Sequence, residues 1–285
     1  MKLLQLQLEL RLSCADKEFL TELQQQLSIL NYYPKNEIDG EYGPKTQEAW
    51  GKFKAKNHQA KPDFIGPGSI SLLLEATNTK PLPSEDLAHK IVNYCKKQDY
   101  RLDTRPTAIN IIGLEGFKVE DVPDKWNDAV CLLTFDKNKS PLVIAAYVAT
   151  TEPGAYYTIN PLNKNGAARL QLCQHKNLWR FGTHRGYRAL VQVGTATLVR
   201  DKNKNYKRDD KITLETGNGV NLHTTKTTGW RGSAGDSIGQ WSAGCVVIKN
   251  PDSFLTLIQR LENCLQYKLD KNTTFDFTLI DYNRL

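Results

Sequence analysis

The stretch that decides the fold reads Ser-Ala-Gly-Cys-Val-Val-Ile at positions 242–248. Its small residues predict a tight turn, and its β-branched residues predict a strand directly after that turn. Upstream, Gly-Val-Asn-Leu-His-Thr-Thr at positions 219–225 predicts a second strand. His223 precedes Cys245 by 22 residues, which is too far for one helix face but natural for neighbouring strands joined by a loop. We therefore expect these two side chains to meet in the folded chain.

Cys245 and His223 are candidates for a nucleophile and its base, because an imidazole can take the thiol proton and leave a reactive thiolate. Gly244 allows the backbone to approach a ligand closely, so its N–H and that of Cys245 are candidates for an oxyanion hole. A structural alternative stays open. Cys245 would then be a buried core cysteine in front of a strand, and His223 a strand-end histidine with satisfied hydrogen bonds.

Composition limits the function classes. The chain has 285 residues, a hydrophobic share of 40%, a charged share of 24% and a net charge of +7, which suits a globular protein of about two domains. A positive net charge favours an anionic partner such as nucleic acid or an anionic wall polymer. A charge that serves only to keep the protein soluble explains the same value equally well. We expect no nucleic-acid partner, because the sequence carries neither a helix-turn-helix signal nor an aromatic-and-glycine RNA motif.

The six cysteines are scattered and form no CxxC pair. The sequence therefore predicts neither a disulfide framework nor a zinc site, and we expect no metal and no cofactor. Residues 201–212 space Asp and Asn oxygens roughly like a calcium loop. Tyr206 stands in place of the turn glycine and Ile212 in place of the final glutamate, and both substitutions favour a hairpin tip instead.

The N-terminal third predicts three helices. Leucines recur at positions 20, 23, 27 and 30, Pro44 opens a second helix, and Gly-Pro-Gly-Ser at 66–69 opens a third. Between the first two lies Ile-Asp-Gly-Glu-Tyr-Gly-Pro-Lys-Thr at 38–46. With these features, residues 15–76 resemble the peptidoglycan-binding domain that accompanies many wall hydrolases. The resemblance implies the stem peptide or glycan of peptidoglycan as ligand, while a helical bundle used only for packing is the alternative.

Lys-Pro-Leu-Pro-Ser at 80–84 predicts a stiff boundary between domains. We expect a helical domain over 1–79, a linker with a connecting helix over 80–105, and a mainly β domain over 106–285. The last segment consists of short apolar runs separated by turn residues, with one clear late helix over 251–265. The predicted fold class is α+β.

Residues 219–261 resemble the catalytic domain of L,D-transpeptidases of the YkuD-like type. The matching pieces are the strand ending in His223, Ser-Ile-Gly at 237–239, the turn at 242–245 and a helix after Asn250. The resemblance implies that Cys245 forms a thioester with a peptidoglycan stem peptide, which an amine or water then releases. It also implies backbone carbonyls that orient the histidine, with Thr224 and Ser242 at the matching positions.

Several side chains are candidates for substrate contacts. Trp230, Arg231 and Trp241 lie in or beside the loop between His223 and Cys245, where aromatic rings and a cation could line a groove for an anionic peptide. His184, in Gly-Thr-His-Arg-Gly at 182–186, is a candidate for the same cleft. For Trp241 the alternative is a place in the core. Cys173 and His175 form a weaker second pair without a glycine turn.

Two positions depart from the family pattern. Ala243 stands where the family often has His, and Val247 where it often has Arg or Asn, which helps there to hold the site or the substrate carboxylate. These departures leave open a second interpretation, a catalytically silent peptidoglycan-binding protein. An exported or injected murein-degrading effector or lysin of the same fold is a further alternative, which the apparent lack of an export signal suggests.

The sequence also bears on localisation. Residues 1–10 alternate apolar and polar residues, which predicts a strand rather than a signal peptide, and no run approaches the ~20 apolar residues of a membrane span. We expect a chain that is cytoplasmic as synthesised and acts at the cell wall or periplasm after non-classical export or delivery. The sequence identifies neither an immunity partner nor a delivery partner.

Overall fold

The chain forms two compact units, Met1–Pro83 and Ser84–Leu285. The computed structural model describes residues 3, 6, 10–57, 59, 62–77, 85–117, 120–225 and 234–285. Helices dominate the first unit and strands the second, so the chain is an α+β protein, as the sequence predicts. In the described ranges, no helix combines the length and apolar character needed to cross a bilayer.

The first unit contains the three predicted helices. They are α1 (Lys17–Ile29), α2 (Pro44–Lys56) and α3 (Pro67–Ala76), joined by a two-stranded sheet of β1 (Leu10–Arg11) and β2 (Phe64–Ile65). Asp16 caps α1 by accepting a hydrogen bond of 2.8 Å from the N–H of Phe19. Pro44 is the first residue of α2, where its missing N–H leaves no bond unmade.

The buried side chain of Gln24 holds this unit's central turn in place. Its Oε1 accepts hydrogen bonds from the N–H groups of Asp39 at 3.0 Å and Gly40 at 2.8 Å, and its Nε2 donates to Oδ1 of Asp39 at 2.8 Å and Oγ1 of Thr46 at 3.0 Å. Gly40 has a φ of +72°, and a Cβ there would lie 2.4 Å from Oγ1 of Thr21. The residues of the motif at 38–46 therefore hold the turn against helix α1 and have a structural role in the unit.

The second unit is built on a closed sheet of eight strands in the order β11-β12-β5-β4-β3-β13-β7-β8, beside a three-stranded sheet in the order β10-β9-β6. The strands are β3 (Asn110–Glu115), β4 (Asp128–Phe135), β5 (Pro141–Thr150), β6 (Ala167–Leu170), β7 (Gln174–His184), β8 (Tyr187–Gln192), β9 (Ala196–Asp201), β10 (Ile212–Glu215), β11 (Leu222–Thr224), β12 (Val246–Ile248) and β13 (Phe275–Asp281). The helices are α4 (Glu85–Lys97), α5 (Ala155–Ile159), α6 (Pro251–Asn263) and α7 (Leu265–Leu269).

Strand alternation divides the apolar residues of this unit between two clusters. Ile111 belongs to one cluster, together with Phe254 and Leu257 of α6. Ile112, the next residue along β3, belongs to the other, together with Ile91 of α4. The helix over 85–97, which the sequence assigns to the connecting segment, thus lies in the second unit because its apolar face packs on the sheet.

The late helix and the Asp-rich loop follow the sequence expectations. Asn250 caps α6 by accepting hydrogen bonds from the N–H groups of Asp252 at 2.8 Å and Ser253 at 3.0 Å. The loop after Asp201 joins β9 to β10, which pair antiparallel with Ile212 opposite Val199. The predicted hairpin is therefore confirmed.

Candidate active site

The two stretches that carry Cys245 and His223 lie side by side. Strands β11 and β12 pair in parallel, with His223 opposite Val247, and the N–H of Val246 donates to the carbonyl of Asn221 at 3.0 Å. Alternate residues of a strand point to the same face, so the side chains of Cys245, Val247 and His223 share one face. The predicted pairing of the two strands is confirmed, and it places the thiol and the imidazole on the same surface.

Ser242 shapes the turn in front of Cys245. Its Oγ donates to the carbonyl of Cys245 at 2.8 Å and accepts from the N–H of Gly244 at 3.1 Å, and its carbonyl accepts from the N–H of Gly154 at 2.9 Å. These contacts stay within the turn and its neighbour, and the orienting role that the resemblance implies for the Ser242 carbonyl stays a prediction. The N–H of Gly244 is already bonded, which leaves the oxyanion-hole assignment to the N–H of Cys245.

Gly244 is required by the geometry of this turn. Its φ is +126°, and a Cβ at this position would lie 2.6 Å from the carbonyl oxygen of Ala168. Any side chain there would be strained by its backbone conformation and would also collide with β6. The turn that presents Cys245 is therefore fixed by contact with the second sheet of the unit.

Asp124 clamps the two loops beside the turn, and no local sequence pattern predicts this role. Its Oδ1 accepts from the N–H groups of Ala155 and Gly239, both at 2.8 Å. Gly154 lies so close to Gly239 that a Cβ would come within 2.2 Å of the Gly239 carbonyl. Trp241, a predicted substrate contact, follows this clamped loop and is half-buried beside the Cys245 turn.

His223 is held by a backbone carbonyl. The imidazole is only 6% exposed, and its Nδ1 lies 3.0 Å from the carbonyl oxygen of Thr224, the contact that the predicted orienting role requires. The hydroxyl of Tyr187 donates to the same carbonyl at 3.0 Å and lies 3.4 Å from Nδ1. A carbonyl can only accept, so neutral His223 carries its proton on Nδ1, and Nε2 keeps the lone pair of a base.

A β-hairpin brings a second imidazole to this point. His184 and Tyr187 are cross-strand partners at the ends of β7 and β8, joined by Arg185 and Gly186. Both turn residues have positive φ, +45° and +82°, as a type I′ hairpin turn requires. The His184 ring stacks on that of His223 with centroids 4.2 Å apart and planes inclined by 13°. The sequence singled out His184 but not Tyr187, which carries no pattern of its own.

The tautomer of His184 follows from its neighbour. Oδ1 of Asn221 accepts a hydrogen bond of 2.9 Å from the N–H of Gln192. The other polar atom of this side chain is therefore the donor Nδ2. That Nδ2 lies 3.1 Å from Nδ1 of His184. Neutral His184 therefore carries its proton on Nε2, which is left as a hydrogen-bond donor.

The electrostatics favour neutral partners in the resting site. Burial, and then the neighbouring His184 ring, lower the pKa of His223 to about 3. Burial raises the pKa of the Cys245 thiol, against smaller opposing effects of the Asn221 N–H and the Arg185 guanidinium. Within the described part of the chain, Sγ of Cys245 donates to the carbonyl of Gly219 at 3.2 Å rather than to His223. This arrangement suits general-base proton transfer during attack rather than a preformed ion pair.

A buried ion cluster supports the turn from behind. Arg169, the residue after Ala168, is fully buried and pairs with Glu152 at 2.7 Å and Asp201 at 3.0 Å. Arg208 pairs with Glu115 and also reaches Glu152 at 3.2 Å. Burial raises the pKa of Glu115 to about 7 against the lowering effect of Arg208. The turn at 242–245 touches two neighbouring segments: Ser242 binds Gly154, and Gly244 packs against Ala168. Glu152 lies just before Gly154 and Arg169 just after Ala168, so the ion cluster holds both of these segments in place.

The remaining candidates lie apart from this centre or outside the described residues. His175 is buried, and its Nε2 lies 3.0 Å from the Gln171 carbonyl while its Nδ1 accepts from the N–H of Thr197 at 3.3 Å. Both ring nitrogens thus bind backbone, which makes the contact with Cys173 structural. Trp230 and Arg231 lie outside the described residues.

No protein-family model matches this chain, and no curated protein matches it. Among solved structures, the chain is similar to a fused Zn-dependent amidase/peptidase/peptidoglycan-binding domain-containing protein from Clostridium acetobutylicum ATCC 824, at 12% identity and a TM-score of 0.29, over 95% of this chain and 98% of that one. An L,D-transpeptidase (Yku) from Stackebrandtia nassauensis has 13% identity and a TM-score of 0.30, over 92% and 91%. An L,D-transpeptidase from Xylanimonas cellulosilytica DSM 15894 has 15% identity and a TM-score of 0.24, over 91% and 92%. At these TM-scores the similarities carry no argument about this chain.

Proposed function

We propose that this chain is a cysteine-dependent acyl transferase or hydrolase that acts on peptidoglycan stem peptides. The observation that carries the proposal is the placement of Cys245 and His223 on one face of paired strands, with Nδ1 of His223 bound to the Thr224 carbonyl. Nε2 is then the only ring nitrogen with a free lone pair. The resemblance of residues 219–261 to the L,D-transpeptidase domain, and of residues 15–76 to a peptidoglycan-binding domain, supports the choice of substrate.

The proposed reaction has two stages. As Sγ of Cys245 attacks a peptide carbonyl carbon, Nε2 of His223 takes the thiol proton, and the N–H of Cys245 donates to the developing oxyanion. When the C–N bond breaks, His223 returns the proton to the leaving amine, and a thioester remains on Cys245. A second amine or a water molecule then attacks the thioester carbonyl and gives a proton to Nε2 of His223. The C–S bond breaks, and His223 passes that proton to the departing Sγ of Cys245, which completes transpeptidation or hydrolysis and restores the neutral pair.

In this mechanism both Cys245 and His223 start in their neutral forms. Because burial raises the pKa of Cys245 and lowers that of His223, neither the thiolate nor the imidazolium is favoured before substrate binds. The thiol must also leave the Gly219 carbonyl to reach Nε2. A bound substrate that turns the thiol away from Gly219 would therefore couple binding to activation.

The proposal extends to the first unit and to localisation. We assign the first unit a peptidoglycan-binding role, which would keep the chain attached to its substrate polymer. The chain would act at the cell wall or periplasm after non-classical export or delivery, as an effector or lysin of this type would.

The second candidate function is a catalytically silent peptidoglycan-binding protein. The observations that favour it are the apolar Val247, which is buried on the same face as the thiol, and the hydrogen bond from Sγ to the Gly219 carbonyl. Val247 offers the thiol no charge, and the Gly219 carbonyl holds the thiol proton in a hydrogen bond. Among the described side chains of the turn, the thiol therefore has no charged partner.

Mass spectrometry of muropeptides separates the two candidates. Purified wild type, Cys245→Ala and the matched control Cys173→Ala are each incubated with isolated peptidoglycan, and the soluble products are compared. We expect wild type and Cys173→Ala to change the cross-links or stem lengths, and Cys245→Ala to leave them unaltered. If wild type binds peptidoglycan but its products equal those of Cys245→Ala, the silent-binder function replaces the enzyme.

A further inference from the structure

Arg185 sits at the tip of the hairpin that reaches the candidate site. Its neighbours are His184, which stacks on His223, and across the turn Tyr187, whose hydroxyl lies 3.4 Å from Nδ1 of His223. The guanidinium is exposed, and among the described residues no carboxylate forms an ion pair with it. Within the described ranges, a cation thus stands next to the imidazole pair without a carboxylate that compensates its charge.

The field of Arg185 reaches the reacting groups. Burial is the main cause of the pKa shifts of Cys245, His223, His184 and Tyr187, and the Arg185 guanidinium is a further cause that lowers the pKa in all four. Arg185 directly follows His184 at the turn of the β7–β8 hairpin, and the His184 ring stacks on that of His223, so the guanidinium belongs to the end of the hairpin that reaches these side chains. The positive potential of the site therefore has a source on the β7–β8 hairpin.

The strand that carries the nucleophile cannot supply such a charge. Val247 shares a face with Cys245 and is fully buried, so a cation at that position would lose its hydration without a partner. The neutral His184 beside Arg185 offers a second donor, because its Nδ1 is bound to Asn221 and its proton lies on Nε2. Arg185 and His184 together present N–H donors and a positive charge, the combination that binds a carboxylate.

We propose that Arg185, assisted by the Nε2–H of His184, binds a free carboxylate of the substrate next to the reacting carbonyl. The inference rests on the proposed function of Cys245 and names its substrate class: peptides with an ionised carboxyl group beside the bond that is broken or formed. Arg185 is then a specificity-determining residue, because an amidated peptide of the same shape would lose the ion pair and leave the guanidinium unpaired.

A matched pair of substrates tests this. A synthetic peptidoglycan stem peptide is prepared with a free C-terminal carboxylate and as its C-terminal amide, and kcat/KM is measured for both. We expect wild type to prefer the carboxylate form by about 10–100-fold, the range for a charge-assisted contact that is partly exposed. Arg185→Gln should reduce that preference to near unity, mainly through KM, and Arg185→Lys should retain part of it.

Arg188→Gln is the matched control. Arg188 lies on the same hairpin but pairs with Thr183, so it points to the other face, where its guanidinium lies 4.4 Å from the Phe181 ring centroid and pairs with Glu262. Its removal takes away the same charge and should leave the carboxylate preference unchanged. An equal preference in wild type and Arg185→Gln, or an equal loss in Arg188→Gln, would overturn the proposal.

A measurement of peptide binding tests the carboxylate site independently of the proposed catalytic function. If wild type leaves both peptides intact, the proposed function fails, and calorimetric titration of Cys245→Ala with the two peptides decides about Arg185 alone. Tighter binding of the carboxylate form that disappears in Cys245→Ala/Arg185→Gln supports the carboxylate site. Equal Kd values for the two peptides, or a preference that survives the loss of Arg185, refute it.

Discussion

The imidazole rings of His184 and His223 stack with centroids 4.2 Å apart and planes inclined by 13°. Two imidazolium ions at this separation would repel each other, so a charge on His184 disfavours protonation of His223. His223 is also bound through Nδ1 to the Thr224 carbonyl. The contact therefore helps to keep the candidate base unprotonated, although the two rings come from strands that are distant in the sequence.

Replacing His184 should raise the pKa of His223. Burial is the first cause of the low value of about 3, and the His184 ring is the second, so His184→Asn should move the midpoint upward while leaving it below the usual 6.5. Nuclear magnetic resonance titration of the His223 ring protons measures this without substrate. The His175 ring, whose pKa burial lowers to about 4, serves as the internal control and should not move. An unchanged His223 midpoint would show that the stack has no electrostatic effect.

Removing the hydroxyl of Tyr187 should slow the reaction with little loss of stability. The hydroxyl donates to the Thr224 carbonyl and lies 3.4 Å from Nδ1 of His223, so Tyr187→Phe removes one restraint on the base. We expect kcat to fall about tenfold, which corresponds to ~1.4 kcal/mol, the size of one net hydrogen bond. Steady-state kinetics on stem peptides test this, with Tyr156→Phe on exposed α5 as the control. Equal losses in both variants would remove Tyr187 from the site.

Gly244→Ala should destabilise the second unit and abolish activity. The positive φ alone costs about 1–3 kcal/mol for a residue with a Cβ, and contact with the Ala168 carbonyl adds to this because backbone cannot yield cheaply. Urea unfolding gives the difference in free energy of unfolding. The control is Gly235→Ala, where a Cβ meets no atom within 4 Å, so a change of at most about 0.5 kcal/mol is expected. A Gly244→Ala protein as stable as the control would mean that the turn adapts.

The Cys245 thiol should react slowly at neutral pH. Burial raises its pKa, and the thiolate is the reactive form, so the rate of alkylation by iodoacetamide should keep rising with pH beyond the midpoint of a small reference thiol such as glutathione. Peptide mapping by mass spectrometry isolates this cysteine from the other five. Because Arg185 lowers the pKa of the thiol, Arg185→Gln should shift the midpoint further upward. A midpoint below that of glutathione would instead indicate a thiolate–imidazolium pair.

Breaking the buried ion cluster should be costly. Arg169 is fully buried between Glu152 and Asp201, so Arg169→Met leaves buried carboxylates without a counter-charge, a loss of about 3–5 kcal/mol. Chemical unfolding of the intact chain measures it. Arg180→Met removes an exposed arginine from β7 and should change stability by less than about 0.5 kcal/mol. Similar small effects in both variants would show that the cluster contributes little net stability.

Local sequence patterns were enough to predict the elements and the pairing of the two key strands. The Gly-Cys turn ahead of a Val-Val-Ile run and the strand around His223 predict β12 and β11, and both form as a parallel pair. The three helices of the first unit follow from leucine spacing and from proline and glycine at helix starts. These features depend on residues close together in the chain, and local conformational preferences therefore suffice to predict them.

The surroundings of the candidate site depended on the tertiary structure. The sequence does not show that Tyr187 shares the Thr224 carbonyl with His223, that Asp124 clamps the loop before Ser242, or that the N–H of Gly244 is taken by Ser242. These contacts join residues whose meeting is set by strand order in the closed sheet.

The sequence by itself determined which residues bear the candidate chemistry, because Cys245 on a glycine turn and His223 at a strand end are visible as local patterns. Only the tertiary structure decided their protonation state and their charged neighbour. Burial and the His184 stack keep the imidazole neutral, and the β7–β8 hairpin brings Arg185 beside it. Solvent exclusion and electrostatic fields depend on every element packed around a group, and no local pattern encodes them.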